Sequence, residues 1–177
     1  MRMYDGNKSF SAKKISIGGL LLALTVITLF AESILPTSKL ALYALSSFFI
    51  SVVIIESGVK TGLVFYISSV LLSLIVVQNK LELIPYIVFF GNYGLIKLFI
   101  ERLRKLALEY ILKILYFSVW LTAAVFFFER IFMENINFDF PWWAVFIVFE
   151  IVFVVYDYVY SLFVRYYIAK LKGLLRM

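Results

Sequence analysis

Six apolar runs cover most of this chain, and they constrain its fold more than any other feature. They are Ile15–Leu35, Leu40–Ile55, Thr61–Val77, Leu83–Ile100, Leu108–Phe128 and Trp142–Ile168. A membrane-spanning helix needs about 20 mostly apolar residues. The runs are of about that length, the second and third only just long enough to span, and 64% of the 177 residues are hydrophobic, where a soluble domain is near half apolar. The expected fold is therefore an all-α integral membrane protein. It has six transmembrane helices in one bundle, read as a single domain over residues 1–177. The first run follows Lys13 and Lys14 but has no clear small-x-small cleavage site before Pro36. It is read as a retained helix, not a signal peptide.

The connections are short: Pro36 to Lys39, Glu56 to Lys60, Gln78 to Lys80 and Glu101 to Lys105, with a longer acidic one from Glu129 to Pro141. Short connections force neighbouring helices to run antiparallel. The second and third runs are the shortest, so they are expected to lie protected in the bundle or to tilt little.

Basic residues set the orientation, because cytoplasmic loops carry the excess of Lys and Arg. With the N-terminus inside, the inner side holds Arg2, Lys8, Lys13, Lys14, Lys60, Lys97, Arg102, Arg104, Lys105, Arg165, Lys170, Lys172 and Arg176, with Lys113 snorkelling inward. Only Lys39, Lys80 and Arg130 lie outside, so fourteen basic residues stand against three. Both termini are thus expected in the cytoplasm. The net charge of +6 then reflects topology and attraction to anionic lipid, not nucleic-acid binding. Trp142 and Trp143 at one edge and Tyr166 and Tyr167 at the other edge of the last run suit interfacial belts.

Several chemistries have no residues to carry them. The chain has no cysteine and no histidine, which removes disulfides, thiolates, Cys/His metal sites and a histidine base. No phosphate-binding loop, H-E-x-x-H or G-x-S-x-G occurs. The chain is read as no enzyme, with no cofactor and no metal.

The last run, "VFEIVFVVYDYVYSLFVRYY", carries Glu150 and Asp157. An acid at a helix centre in lipid costs roughly 2.5–3.5 kcal/mol. The two are seven apart, so they share one helix face, about 10 Å apart along the axis, and that face is expected to point into the bundle. Asp157 lies at a depth that Lys113 or Lys97 can reach, which makes a structural ion pair, Lys113 with Asp157, its simplest account. Glu150 has no basic residue at its own depth. It is either a ligand contact or a protonated acid bonded to a neighbour. Glu32, by default an exposed loop acid on the outer side, joins it with Tyr86, Asn92 and Trp120 as candidates lining an outward-facing pocket. Asn92 lies in "FFGNYGLIK", where the alternative is an ordinary helix crossing eased by glycine.

Gly19 and Ala23 in the first run, and Gly58 and Gly62 at the start of the third, form small-xxx-small faces. Such faces allow close helix approach in lipid. They either pack within the bundle or dock a separate membrane subunit.

Together with "ISIGGLLLALTVITL", "LSSFFISVVIIESGVKTGLVFYISSVLLSL" and "FFGNYGLIK", this topology resembles the substrate-binding S components of energy-coupling factor (ECF) vitamin transporters. The resemblance covers roughly residues 11 to 168. It implies a six-helix S-component bundle in the bacterial plasma membrane, capturing a small molecule such as a vitamin near the outer face. It implies docking of the small-residue faces, here Gly19/Ala23 and Gly58/Gly62, on a membrane coupling subunit with separate ATPase subunits. The use of glycine departs from the family's alanine-rich pattern, and the chain carries no signature that names the vitamin. The alternative is a non-transporting membrane scaffold resembling MreD, which has a similar size and span number.

Overall fold

The computed structural model describes residues 5–35, 37–103, 105–132 and 142–171. Arg2, Arg104, Lys172 and Arg176, used above for orientation, and residues 133–141 of the acidic connection lie outside the described residues, as do the side chains of Lys8, Lys13, Arg130 and Trp142. The described residues hold helices and no strand: α1 (Asp5–Ile34), α2 (Lys39–Ser57), α3 (Val59–Val76), α4 (Gly91–Glu101), α5 (Leu106–Phe132) and α6 (Trp142–Tyr166). A 3₁₀ turn (Lys80–Leu83) and a π-helical segment (Tyr86–Phe90) lead into α4, and a second π-helical segment (Tyr167–Leu171) follows α6.

Among the described residues six helices are long and apolar enough to cross a membrane, at Lys14–Ile34, Lys39–Ser57, Val59–Val76, Lys80–Glu101, Ala107–Phe126 and Trp143–Lys170. The chain is thus an all-helical, multi-pass membrane protein. The apolar runs locate these spans to within three residues at either end. Two spans are composite: the sixth runs from α6 into the π segment that follows it, and the fourth is more broken. It joins a 3₁₀ turn, a π segment and α4 into one crossing.

The chain divides into two compact units, residues 1–96 with 163–177, and residues 97–162. In the first, α1 packs against α2 and α3, and α2 packs also against α3 and the first π segment. The buried face of α2 is built from small polar residues as much as from apolar ones. Ser46, Ser47 and Ser51 are buried beside Ile50 and Val52 to Ile54. Each serine hydroxyl donates to the carbonyl three residues back, on Tyr43, Ala44 and Phe48, at 2.6–2.7 Å. The small side chains let helices approach closely, and the back-bonds leave no hydroxyl proton unsatisfied in lipid. Outward lie Leu20, Ile27, Leu63, Val64, Ile67, Leu71 and Ile75. Lipid is as apolar as leucine, so in a membrane the hydrophobic residues face out and closeness of packing defines the inside.

Of the two shortest runs, expected to lie protected in the bundle or to tilt little, α2 is the protected one. Residues 50–54 of α2 are all buried, whereas α3 turns a broad apolar face outward.

The α2–α3 connection shows why glycine stands at two positions. Gly58 adopts φ +89° between the helices, a left-handed region open to glycine at little cost. Its N–H donates to Ile54 O at 2.9 Å, and Gly62 N–H donates back to Gly58 O at 3.0 Å. A Cβ on Gly62 would run into the Ile54 side chain across the turn.

The chain beyond residue 162 joins this first unit. Phe163 stacks on Phe48 with ring centroids 4.6 Å apart, and the Tyr167 hydroxyl donates to Glu56 Oε1 at 3.1 Å. Tyr167, read from sequence as a belt residue, is 4% exposed. The hydrogen bond to Glu56 draws it inward, while the adjacent Tyr166 stays exposed.

In the second unit α5 and α6 run antiparallel. Lys113, Phe117 and Ser118 of α5 meet Asp157, Phe153 and Glu150 of α6 in descending order. The Phe117 and Phe153 rings stack 4.5 Å apart. The contact residues of α6 are spaced three and four apart, a helical stripe.

Candidate functional site

The first unit gathers an acidic group at one end. Glu32 closes α1, Lys39 and Tyr43 open α2, and Glu82 sits in the 3₁₀ turn. Lys39 Nζ donates to Glu82 Oε1 at 2.8 Å and lies 3.8 Å from Glu32 Oε1. The Tyr43 hydroxyl donates to the Glu82 backbone carbonyl. Asn79 caps the turn by accepting from Leu81 N–H at 3.3 Å, and the Lys80 ammonium takes the carbonyls of Leu74 and Val77 at the end of α3. Those contacts fix the turn that carries Glu82.

Glu32 is fully buried, and neither of its carboxylate oxygens has a donor at full hydrogen-bonding geometry, with the Lys39 ammonium 3.8 Å away and the Tyr43 hydroxyl as its other polar neighbour. A buried polar group without a hydrogen bond costs stability. One lysine here serves two carboxylates. In chemical terms, Glu32 is a pre-placed acceptor for an N–H, O–H or ammonium group.

Tyr86, also fully buried, is differently placed. Ser69 donates its one hydroxyl proton to the Tyr66 carbonyl at 2.8 Å. The 2.7 Å contact between Ser69 Oγ and the Tyr86 hydroxyl is therefore donated by Tyr86. The Tyr66 hydroxyl in turn donates to Ile87 O at 2.5 Å, satisfying a carbonyl within the π segment, where the α-helical ladder is widened. Gly91 makes this contact accessible. A Cβ there would stand 2.7 Å from the Tyr66 ring and 2.9 Å from Tyr86 O. Asn92, the next residue, is half-buried. Tyr86 thus ties α3 to the fourth span.

Trp120 and Glu150 belong to the second unit. Trp120 is half-buried, with its ring edge-on to Tyr116 at 6.2 Å. Glu150 Oε1 accepts from Ser118 Oγ at 2.5 Å, and its Oε2 has no hydrogen-bond partner. The five residues proposed from sequence as one pocket therefore divide as Glu32, Tyr86 and Asn92 in one unit and Trp120 and Glu150 in the other.

Asp157 meets both lysines within reach. Its Oδ1 accepts from Lys97 and its Oδ2 from Lys113, the latter at 3.1 Å. Glu101 Oε1 closes a ring, 3.1 Å from Lys97 Nζ and 3.0 Å from Lys113 Nζ. Ser161 Oγ accepts from Lys97 at 2.8 Å and donates to Asp157 O at 2.9 Å. Reading the sequence missed Glu101, whose i, i+4 spacing from Lys97 was the available signal. It missed Ser118 and Glu82 as well, since a hydroxyl partner or a turn acid has no periodic signature.

Of the small-residue faces, Gly19 and Ala23 are exposed, and a Cβ on Gly19 would meet nothing. Gly58 and Gly62 serve the α2–α3 turn. Among the described residues no group of His, Cys, Asp and Glu is arranged to hold a metal ion. No protein-family model, curated protein or solved structure matches this chain.

Proposed function

We propose that this protein is the substrate-binding membrane subunit of an ECF-type importer. In this reading it captures a small molecule outside the cell and passes it inward with separate coupling and ATPase subunits. The observation that carries the reading is Glu32, a fully buried carboxylate with both oxygens lacking a donor at full hydrogen-bonding geometry. It sits where α1, α2 and the turn before the fourth span meet. Such a group costs stability in the free protein, and a ligand donor would recover that cost on binding. By the distribution of lysine and arginine this end faces outward, as capture requires. The exposed Gly19/Ala23 face of α1 remains open for a coupling subunit, whereas Gly62 has an internal reason to be glycine.

Native mass spectrometry of the purified chain, released gently from detergent, tests the reading. It is expected to carry a co-purified small molecule bearing an N–H, O–H or ammonium group. Glu32→Gln is expected to lose that molecule and to remain folded. An empty wild-type protein whose thermal midpoint ignores a broad panel of vitamins and their precursors would refute the reading.

A further inference from the structure

The charge ring of the second unit contains one member unlike the others. Lys97, Lys113 and Asp157 are 4%, 6% and 8% exposed, whereas the Glu101 side chain is 43% exposed. The three buried groups sum to one positive charge, which Glu101 balances among the described residues. Asp157 holds the two lysines from the buried side with one oxygen for each. Glu101 holds both from the open side through a single oxygen. The geometry is a two-lysine fork, rigidly backed, with a tethered carboxylate lying in its mouth.

Glu101 ends α4, and the exposed Arg102 and Lys105 follow it. Tyr110 is exposed one turn into α5, with Lys113 Nζ 5.9 Å from its ring centre. An exposed carboxylate in an ion pair is held by only a modest net energy, so another oxyanion can exchange with it. Two ammoniums that already share one carboxylate oxygen suit a phosphate, which offers an oxygen to bridge the fork in its place.

We propose that Lys97 and Lys113 form an exchangeable phosphate-binding site, which Glu101 occupies when no ligand is present. The phosphate belongs either to an anionic phospholipid headgroup or to a soluble phosphate. This site is independent of the reading built on Glu32.

The test uses the full chain in nanodiscs. One arm compares phosphatidylcholine alone with phosphatidylcholine plus phosphatidylglycerol. The other adds sodium phosphate to phosphatidylcholine discs, against sodium chloride at equal ionic strength. Carbodiimide-driven amine coupling at Glu101, read by peptide mass spectrometry, reports its release from the fork. Coupling is expected to rise several-fold with phosphatidylglycerol if the ligand is a lipid, or with phosphate if it is soluble. Glu101→Gln removes the competitor and is expected to bind the effective source about fivefold more tightly, while Lys113→Gln binds it about tenfold more weakly. A purely structural ring predicts no tightening in Glu101→Gln. Unchanged Glu101 coupling in both arms overturns the proposal, and so does unchanged affinity in Glu101→Gln. Where Lys113→Gln does not fold, the wild-type coupling result decides.

Discussion

In the first unit two carboxylates share one lysine; in the second, two carboxylates and two lysines close a ring. Each group includes a buried charge on an apolar helix, Glu32 on α1 and Asp157 on α6, where an isolated charge is costly. The ring spreads that cost. Each lysine meets two acids, and Ser161 occupies a further ammonium proton. The acidic group does not spread it, because Glu82 takes the close contact with Lys39 and Glu32 is left 3.8 Å away with no donor at full hydrogen-bonding geometry. A satisfied buried network is accounted for by stability. An unsatisfied buried acid persists at a cost, and such costs gather at binding sites.

The comparison breaks most visibly at Asp157. Asp157→Ala leaves two buried ammoniums facing each other and is expected to destabilise the protein by about 3–5 kcal/mol. Thermal unfolding followed by circular dichroism measures this, and a loss below about 1 kcal/mol would mean that the ring is not a structural lock.

Gly62→Leu comes next. Its side chain must displace Ile54, an overpacking cost of about 1–3 kcal/mol, whereas Gly19→Leu enters open space and should leave stability unchanged. If the two variants unfold alike, the distinction between an internal glycine and an outward one is wrong. Pull-down of the proposed coupling subunit then asks the separate question of whether Gly19→Leu blocks assembly.

Glu32 predicts an effect of opposite sign. Glu32→Gln relieves an unsatisfied buried carboxylate, so the ligand-free protein should gain stability by about 1 kcal/mol. A drop in its midpoint without ligand would show that Glu32 is a structural member like Asp157.

The smallest effect belongs to Glu101. Its exposed position limits the stability lost in Glu101→Gln to less than about 1 kcal/mol, read in the same unfolding assay. A larger loss would place Glu101 on a par with Asp157 and remove the basis for treating it as exchangeable.

Much of the architecture was legible in the residues. The six spans follow from length and apolarity, since water and lipid sort whole segments with little help from tertiary packing. The shared face of Glu150 and Asp157 follows from helical period, and both do contact α5. The partners of Asp157 were limited by depth to Lys97 and Lys113. Helix packing then brought both to it, because α4 and α5 present their lysines to the same point of α6.

Sequence alone therefore determined that this is a helical, multi-pass membrane protein, where its six long apolar helices lie among the described residues, and which charged residues share a face or a depth. Tertiary structure decided which of those charges are satisfied. It gave Lys39 to Glu82 over Glu32, used the hydroxyl of Tyr86 to join α3 to the fourth span, and buried Tyr167 against Glu56. It also gave Gly62 an internal neighbour and left Gly19 facing out. Periodicity fixes the direction of a side chain around its own helix. Partners depend on the rotation, register and spacing of helices distant in sequence, and those are set by close packing of small residues.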